Sequence, residues 1–142
     1  MEVKNRYIGK IYTPFKKGDD IPRQSIAWQK TRGKIEIYPE FVEGLNDLDK
    51  FSHIYVIFRF HKNDSFHLSV RPPGSKKQRG LFATRSPHRP AGIGLSIYKI
   101  DKIEDNVIFV EGVDVIDNTP VLDIKPYVPK VDIITDAKVG DI

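Results

Sequence analysis

At 142 residues, with ten prolines, ten glycines and no cysteine, the chain has the length of one domain and can build a core without covalent staples. The missing cysteines exclude disulfides, thiolate zinc sites and thiol nucleophiles. A net charge of +4 leans only weakly towards polyanionic partners.

No apolar run is long enough to span a bilayer, and Met1-Glu2-Val3-Lys4 does not open a signal peptide, so the chain reads as cytoplasmic. Tyr7 to Tyr12 reads as a first strand, broken by Thr13-Pro14-Phe15. Lys34 to Tyr38 is a period-two strand, and Pro39 to Leu48 has the proline start and apolar spacing of a helical turn. His53 to Phe60 is the most strand-like stretch. Its Ile54, Val56, Phe58 and Phe60 share one face, with His53, Tyr55, Ile57 and Arg59 on the other. Phe66 to Val70 repeats that alternation, and Pro72 to Gln78 reads as an exposed loop. Leu81-Phe82-Ala83 is a short apolar run that predicts another strand. Further strands are expected near 94–100, 107–111 and 121–124, with Asp117-Asn118-Thr119-Pro120 as turn chemistry between two of them. Many short strands with frequent turns argue an all-β barrel or sandwich. The reading is one domain over 1–142 with a short tail from 129, whose Val131, Ile133 and Ile134 either pack or cross to a partner.

The charge is uneven. Lys16, Lys17, Arg23, Lys30, Arg32 and Lys34 crowd the first quarter, Arg71, Lys76, Lys77, Arg79, Arg85 and Arg89 the middle, and acids dominate after Asp101. Solvated surface and a phosphate-facing side are both open readings of such runs. Between the expected strands lies Arg85-Ser86-Pro87-His88-Arg89-Pro90, whose prolines force an extended, stiff loop carrying two guanidinium groups and an imidazole. That chemistry suits an anion or a polar ligand. There is no strand, glycine-rich turn and helix unit for dinucleotide-type cofactor binding, and His61, Asp64 and His67 lack metal-ligand spacing, so no metal is expected.

The stretch Gly80-Leu81-Phe82-Ala83-Thr84-Arg85-Ser86-Pro87-His88-Arg89-Pro90, continuing to Ile93-Gly94-Leu95-Ser96, resembles the signature of the TsaA-like, TrmO-type family. Blocks at Ile21-Pro22-Arg23-Gln24, Phe51-Ser52-His53-Ile54, Phe58-Arg59-Phe60-His61, Val70-Arg71-Pro72-Pro73 and 119–127 follow the family in order. The departure is Ala91-Gly92, where the family normally has Asn-Pro. The resemblance implies a single β-barrel of short, mostly antiparallel strands, working as a homodimer with cofactor near the subunit interface. It implies an S-adenosylmethionine-dependent methyltransferase acting on the N6 amine of threonylcarbamoyladenosine beside the anticodon of tRNA. Longer relatives carry a C-terminal extension that this chain is read as lacking.

By the same resemblance the cofactor-binding positions are Pro22, Arg23, Gln24, His61, Lys62, Arg85, Leu95, Glu111, Gly112, Val113 and Asp114. Arg85 is the expected guanidinium contact, Asp114 the expected acid, and Leu95 the cover for an apolar face of the ligand. Candidate proton acceptors are His61, His88 and Asp114, and Arg89 or Lys125 is the expected clamp for the carboxylate of the modified base. Trp28 fits a core or a base-stacking role. Two alternatives stay open: a module that holds S-adenosylmethionine or RNA without turnover, and the same transfer on another substrate. The Ala91-Gly92 pair, expected to loosen the loop, keeps the first of these in view.

Overall fold

The computed structural model describes residues 6–21 and 30–140. Among the described residues, eight strands form: β1 (Gly9–Tyr12), β2 (Arg32–Ile37), β3 (His53–Arg59), β4 (Ser69–Val70), β5 (Arg79–Gly80), β6 (Ile93–Glu104), β7 (Val107–Glu111) and β8 (Thr119–Pro126). Six of them close a barrel in the order β1-β2-β7-β6-β3-β8, every neighbour antiparallel. A barrel this narrow is filled by its own side chains. Ile11, Ile35, Ile37, Ile54, Val56, Phe58, Tyr98, Ile108, Val110 and Val121 supply the filling. Each fully buried aliphatic side chain contributes about 1.5–3 kcal/mol.

The alternation of β3 comes out as expected, with Ile54, Val56 and Phe58 inside and His53, Tyr55, Ile57 and Arg59 outside. Strand β6 is the long one. Its first half pairs with β3 and its second with β7, and a register shift between Ile100 and Lys102 lets it turn the corner. Asp105 and Asn106 make the tight turn to β7, with Asp105 at a left-handed φ of 52°. The expected helical turn after β2 is a 3-10 helix at Pro39–Leu45. In the tail, Pro129–Asp132 forms one turn of helix (α1), and Val131, Ile133 and Ile134 are exposed.

Two expectations need correction. Leu81–Ala83 is a 3-10 turn rather than a strand, and β5 ends before it at Gly80. The reason is local: Leu81 alone is buried, and its carbonyl accepts from both the Thr84 N–H (3.0 Å) and the Thr84 hydroxyl (2.7 Å). Of the stretch 66–70, only Ser69 and Val70 pair, against Gly80 and Arg79, while Phe66 and Leu68 stay exposed. The expected strand near 94–100 forms as part of β6, with its apolar set Ile93, Leu95 and Ile97 facing outward. Gly94, Ser96 and Tyr98 take the inward positions.

Candidate active site

The inward row of β6 explains itself by contact. A Cβ on Gly94 would stand 2.4 Å from the Phe58 ring and 2.8 Å from that of Phe60, so only glycine lets these two edge-to-face rings cross the strand. Two residues on, the Ser96 hydroxyl donates to both carboxylate oxygens of Asp114 at 2.9 Å. Tyr98, fully buried, donates its O–H to the same carboxylate at 2.8 Å.

Asp114 reaches this place through the segment after β7. Gly112 turns at a left-handed φ of 99°, the Gly112 and Val113 N–H groups donate to the Thr31 carbonyl at 2.9 and 3.3 Å, and Val113 and Val115 plug into the core on either side. Burial pushes the Asp114 carboxyl above its ordinary range, while the Tyr98 and Ser96 hydroxyls pull it back. Burial, then the Asp114 charge, hold the Tyr98 phenol well above its own ordinary value, so it stays a donor. The result is a largely desolvated acid with two fixed O–H partners.

The signature loop joins the same barrel end. Phe60 N–H donates to Gly92 O at 2.7 Å, directly beyond the last β3–β6 pair, Arg59 with Ile93. The Asn63 amide donates to Pro87 O at 3.4 Å. His61 and Lys62 therefore leave β3 beside the loop that enters β6. Partial burial first, and the Lys62 charge second, lower the His61 pKa below its ordinary 6.5, which leaves a neutral imidazole at pH 7.

Within the loop, Arg85 is exposed and meets no partner among the described residues, as does His88 apart from its own backbone N–H, which donates to the Ser86 hydroxyl at 3.2 Å. Arg89 is engaged. Its guanidinium donates to the carbonyls of Thr84 (3.0 Å), Ser86 (3.1 Å) and Leu81 (3.4 Å), and lies 6.0 Å from the centre of the Phe82 ring. Gly92, expected to loosen the loop, is tied at both its N–H (to Arg89 O, 3.1 Å) and its carbonyl. Its φ of 63° is one a proline ring cannot adopt, so the Ala91-Gly92 pair specifies a different turn from Asn-Pro rather than a slack one.

Not every expected residue gathers here. Leu95 is 62% exposed on the outer face of β6, opposite Ile57, the wall away from Asp114. Glu111 faces outward and pairs with Arg32 at 3.7 Å. Lys125 lies on β8 opposite Tyr55, across β3 from β6. Pro22, Arg23, Gln24 and Trp28 fall outside the described residues. Sequence reasoning missed Ser96 and Tyr98. Their signal was the alternation Gly94-Ser96-Tyr98, which resembles a solvent face until the barrel closes over it.

Residues 10–133 match the family described as tRNA-methyltransferase O N-terminal domain. The chain belongs to that family. It is 39% identical over 125 residues to an S-adenosyl-L-methionine-binding protein of Archaeoglobus fulgidus, covering 88% of this chain and 89% of that one. It is also 44% identical over 135 residues to the tRNA (adenine(37)-N6)-methyltransferase of mouse, covering 92% of this chain but 30% of the mouse protein. The crystal structure of TrmO from Pseudomonas aeruginosa superposes with a TM-score of 0.83 at 39% identity, over 99% of this chain and 62% of that one. The chain thus spans under two thirds of several longer relatives. Among the described residues, no helix is long and apolar enough to cross a membrane.

Proposed function

We propose that this chain transfers a methyl group from S-adenosylmethionine to the exocyclic N6 of threonylcarbamoyladenosine next to the anticodon of tRNA. The observation that carries the reading is the pinned Asp114 carboxylate at the barrel end where the arginine-bearing signature loop enters β6. The donor set suits the cofactor: an acid for an ammonium or ribose hydroxyls, and the Arg85 guanidinium for the amino-acid carboxylate. When bound, S-adenosylmethionine supplies a methyl group activated by the sulfonium.

The protein's part is orientation and exclusion of water, because the N6 lone pair is delocalised into the ring and attacks poorly. Ser96 and Tyr98 fix the acid in one rotamer. His61, whose pKa is lowered first by partial burial, would take the N6 proton onto its imidazole as the amine acidifies. An anticodon loop is already single-stranded, so presenting the base costs little. The outward row Ile93, Leu95 and Ile97, beside Ile57, supports a homodimer, in which Leu95 becomes buried. The setting is cytoplasmic, where tRNA is met.

Incubation with methyl-labelled S-adenosylmethionine and tRNA bearing or lacking the threonylcarbamoyl group tests this. Label confined to the modified tRNA is expected. Equal labelling of both refutes the substrate, and cofactor binding without label on any RNA refutes the enzyme in favour of a binding module.

A further inference from the structure

One segment of this molecule is strongly basic. The segment 60–92 that joins β3 to β6 carries seven Lys and Arg and a single acid, Asp64, for a net +6. The whole chain is only +4, so the remainder is net negative. The segment leaves the barrel as the small β4–β5 ribbon, closed by the tip Pro72-Pro73-Gly74-Ser75 with Gly74 at φ 81°. Arg71, Lys76 and Lys77 are exposed on that tip, and none of them meets a carboxylate among the described residues.

The same segment exposes an aromatic ring where none is needed for packing. Phe82 is 76% exposed, in the 3-10 turn that follows β5 directly. It is not loosely held. Leu81 beside it is buried, and the turn is braced by the three Arg89 hydrogen bonds and by the guanidinium near the ring itself. Phe82 is five residues from Lys77, within about 18 Å of chain, a reach of a few nucleotides.

We propose that the β3–β6 segment is the RNA grip of this protein, with Arg71, Lys76 and Lys77 on backbone phosphates and Phe82 stacking an unpaired base. This rests on the tRNA methyltransferase reading above. A polyanion is the partner that one acid in a 33-residue basic segment favours, since an ordinary protein surface presents both signs. A rigid exposed ring is what sequence-tolerant stacking requires. Arg89 then acts as a positioning residue, shaping the platform from behind.

The test measures binding of an anticodon stem-loop RNA by the full chain across a salt series, with cofactor affinity and melting temperature as controls. For K76A/K77A, RNA affinity should fall at least about tenfold at low salt, and the slope of log K against log salt should drop by about two. For F82A, affinity should fall about tenfold with the slope unchanged, and F82W should restore it. Wild-type RNA affinity in both variants overturns the proposal. So does a change in oligomeric mass of F82A with RNA affinity intact, which would assign the ring to an interface between copies. A wild-type chain that binds S-adenosylmethionine but no RNA overturns the tRNA reading itself.

Discussion

The barrel and the segment threaded between β3 and β6 obey opposite rules. In the barrel, most inward side chains are apolar and buried, hydrogen bonds run in regular ladders, and charge is mixed on the outside. Along 60–92, most side chains are exposed, the charge is positive but for Asp64, and order comes from prolines and a few side chain to backbone bonds such as those of Arg89. What connects the two is β6, whose first residues end the loop and whose inward Ser96 and Tyr98 hold Asp114. The contrast teaches that stability and recognition are separable here, with the acid cluster as the one place where both are at stake.

Substitutions can break that separation if it is wrong. The largest effect is expected for Ile54→Ala in β3, which leaves a cavity in a filled barrel and should cost about 3 kcal/mol in denaturant unfolding. Tyr98→Phe comes next. It removes a buried donor to a carboxylate and should cost about 2 kcal/mol, with weaker S-adenosylmethionine binding by calorimetry. Binding and stability should fall together, unlike for any change on the β4–β5 tip. Gly92→Pro should cost more than about 1 kcal/mol, because the φ is wrong and the N–H to Arg89 O is lost.

The smallest concerns the strap between the loop after β1 and the approach to β8. Lys16 Nζ donates to Asp117 at 2.6 Å and Thr13 N–H donates at 2.9 Å, and the Lys16 hydrogen bond leads in holding the Asp117 carboxyl below its ordinary range. A lowered carboxyl pKa stabilises the fold fully above the unfolded value near 3.8, and that contribution fades as pH falls through the lower folded value. Lys16→Met should therefore cost about 0.5 kcal/mol at pH 7, and the difference from wild type should shrink below pH 4.

Much of the barrel was legible in the sequence because alternation is a direct image of a wall with one buried face. His53 to Phe60 and Val107 to Glu111 declared themselves that way. At β6 alternation marked the strand but not its inner face: the apolar set Ile93, Leu95 and Ile97 faces out and the polar set faces an interior acid. Alternation misled at Phe66–Val70 and a short apolar run misled at Leu81–Ala83, since neither pattern carries information on whether a partner strand exists. The stiffness of the signature loop could be read from its prolines, but not that Arg89 spends its guanidinium on its own loop. Asp114 was expected only through family resemblance, because a lone acid after a strand has no local signature.

The pinned Asp114 carboxylate is proposed to hold the methyl donor. Calorimetry of S-adenosylmethionine binding to D114N, checked for a native melting profile, decides this. Affinity should fall at least about tenfold, the worth of a charged hydrogen bond left unmade. Wild-type affinity in D114N would contradict it.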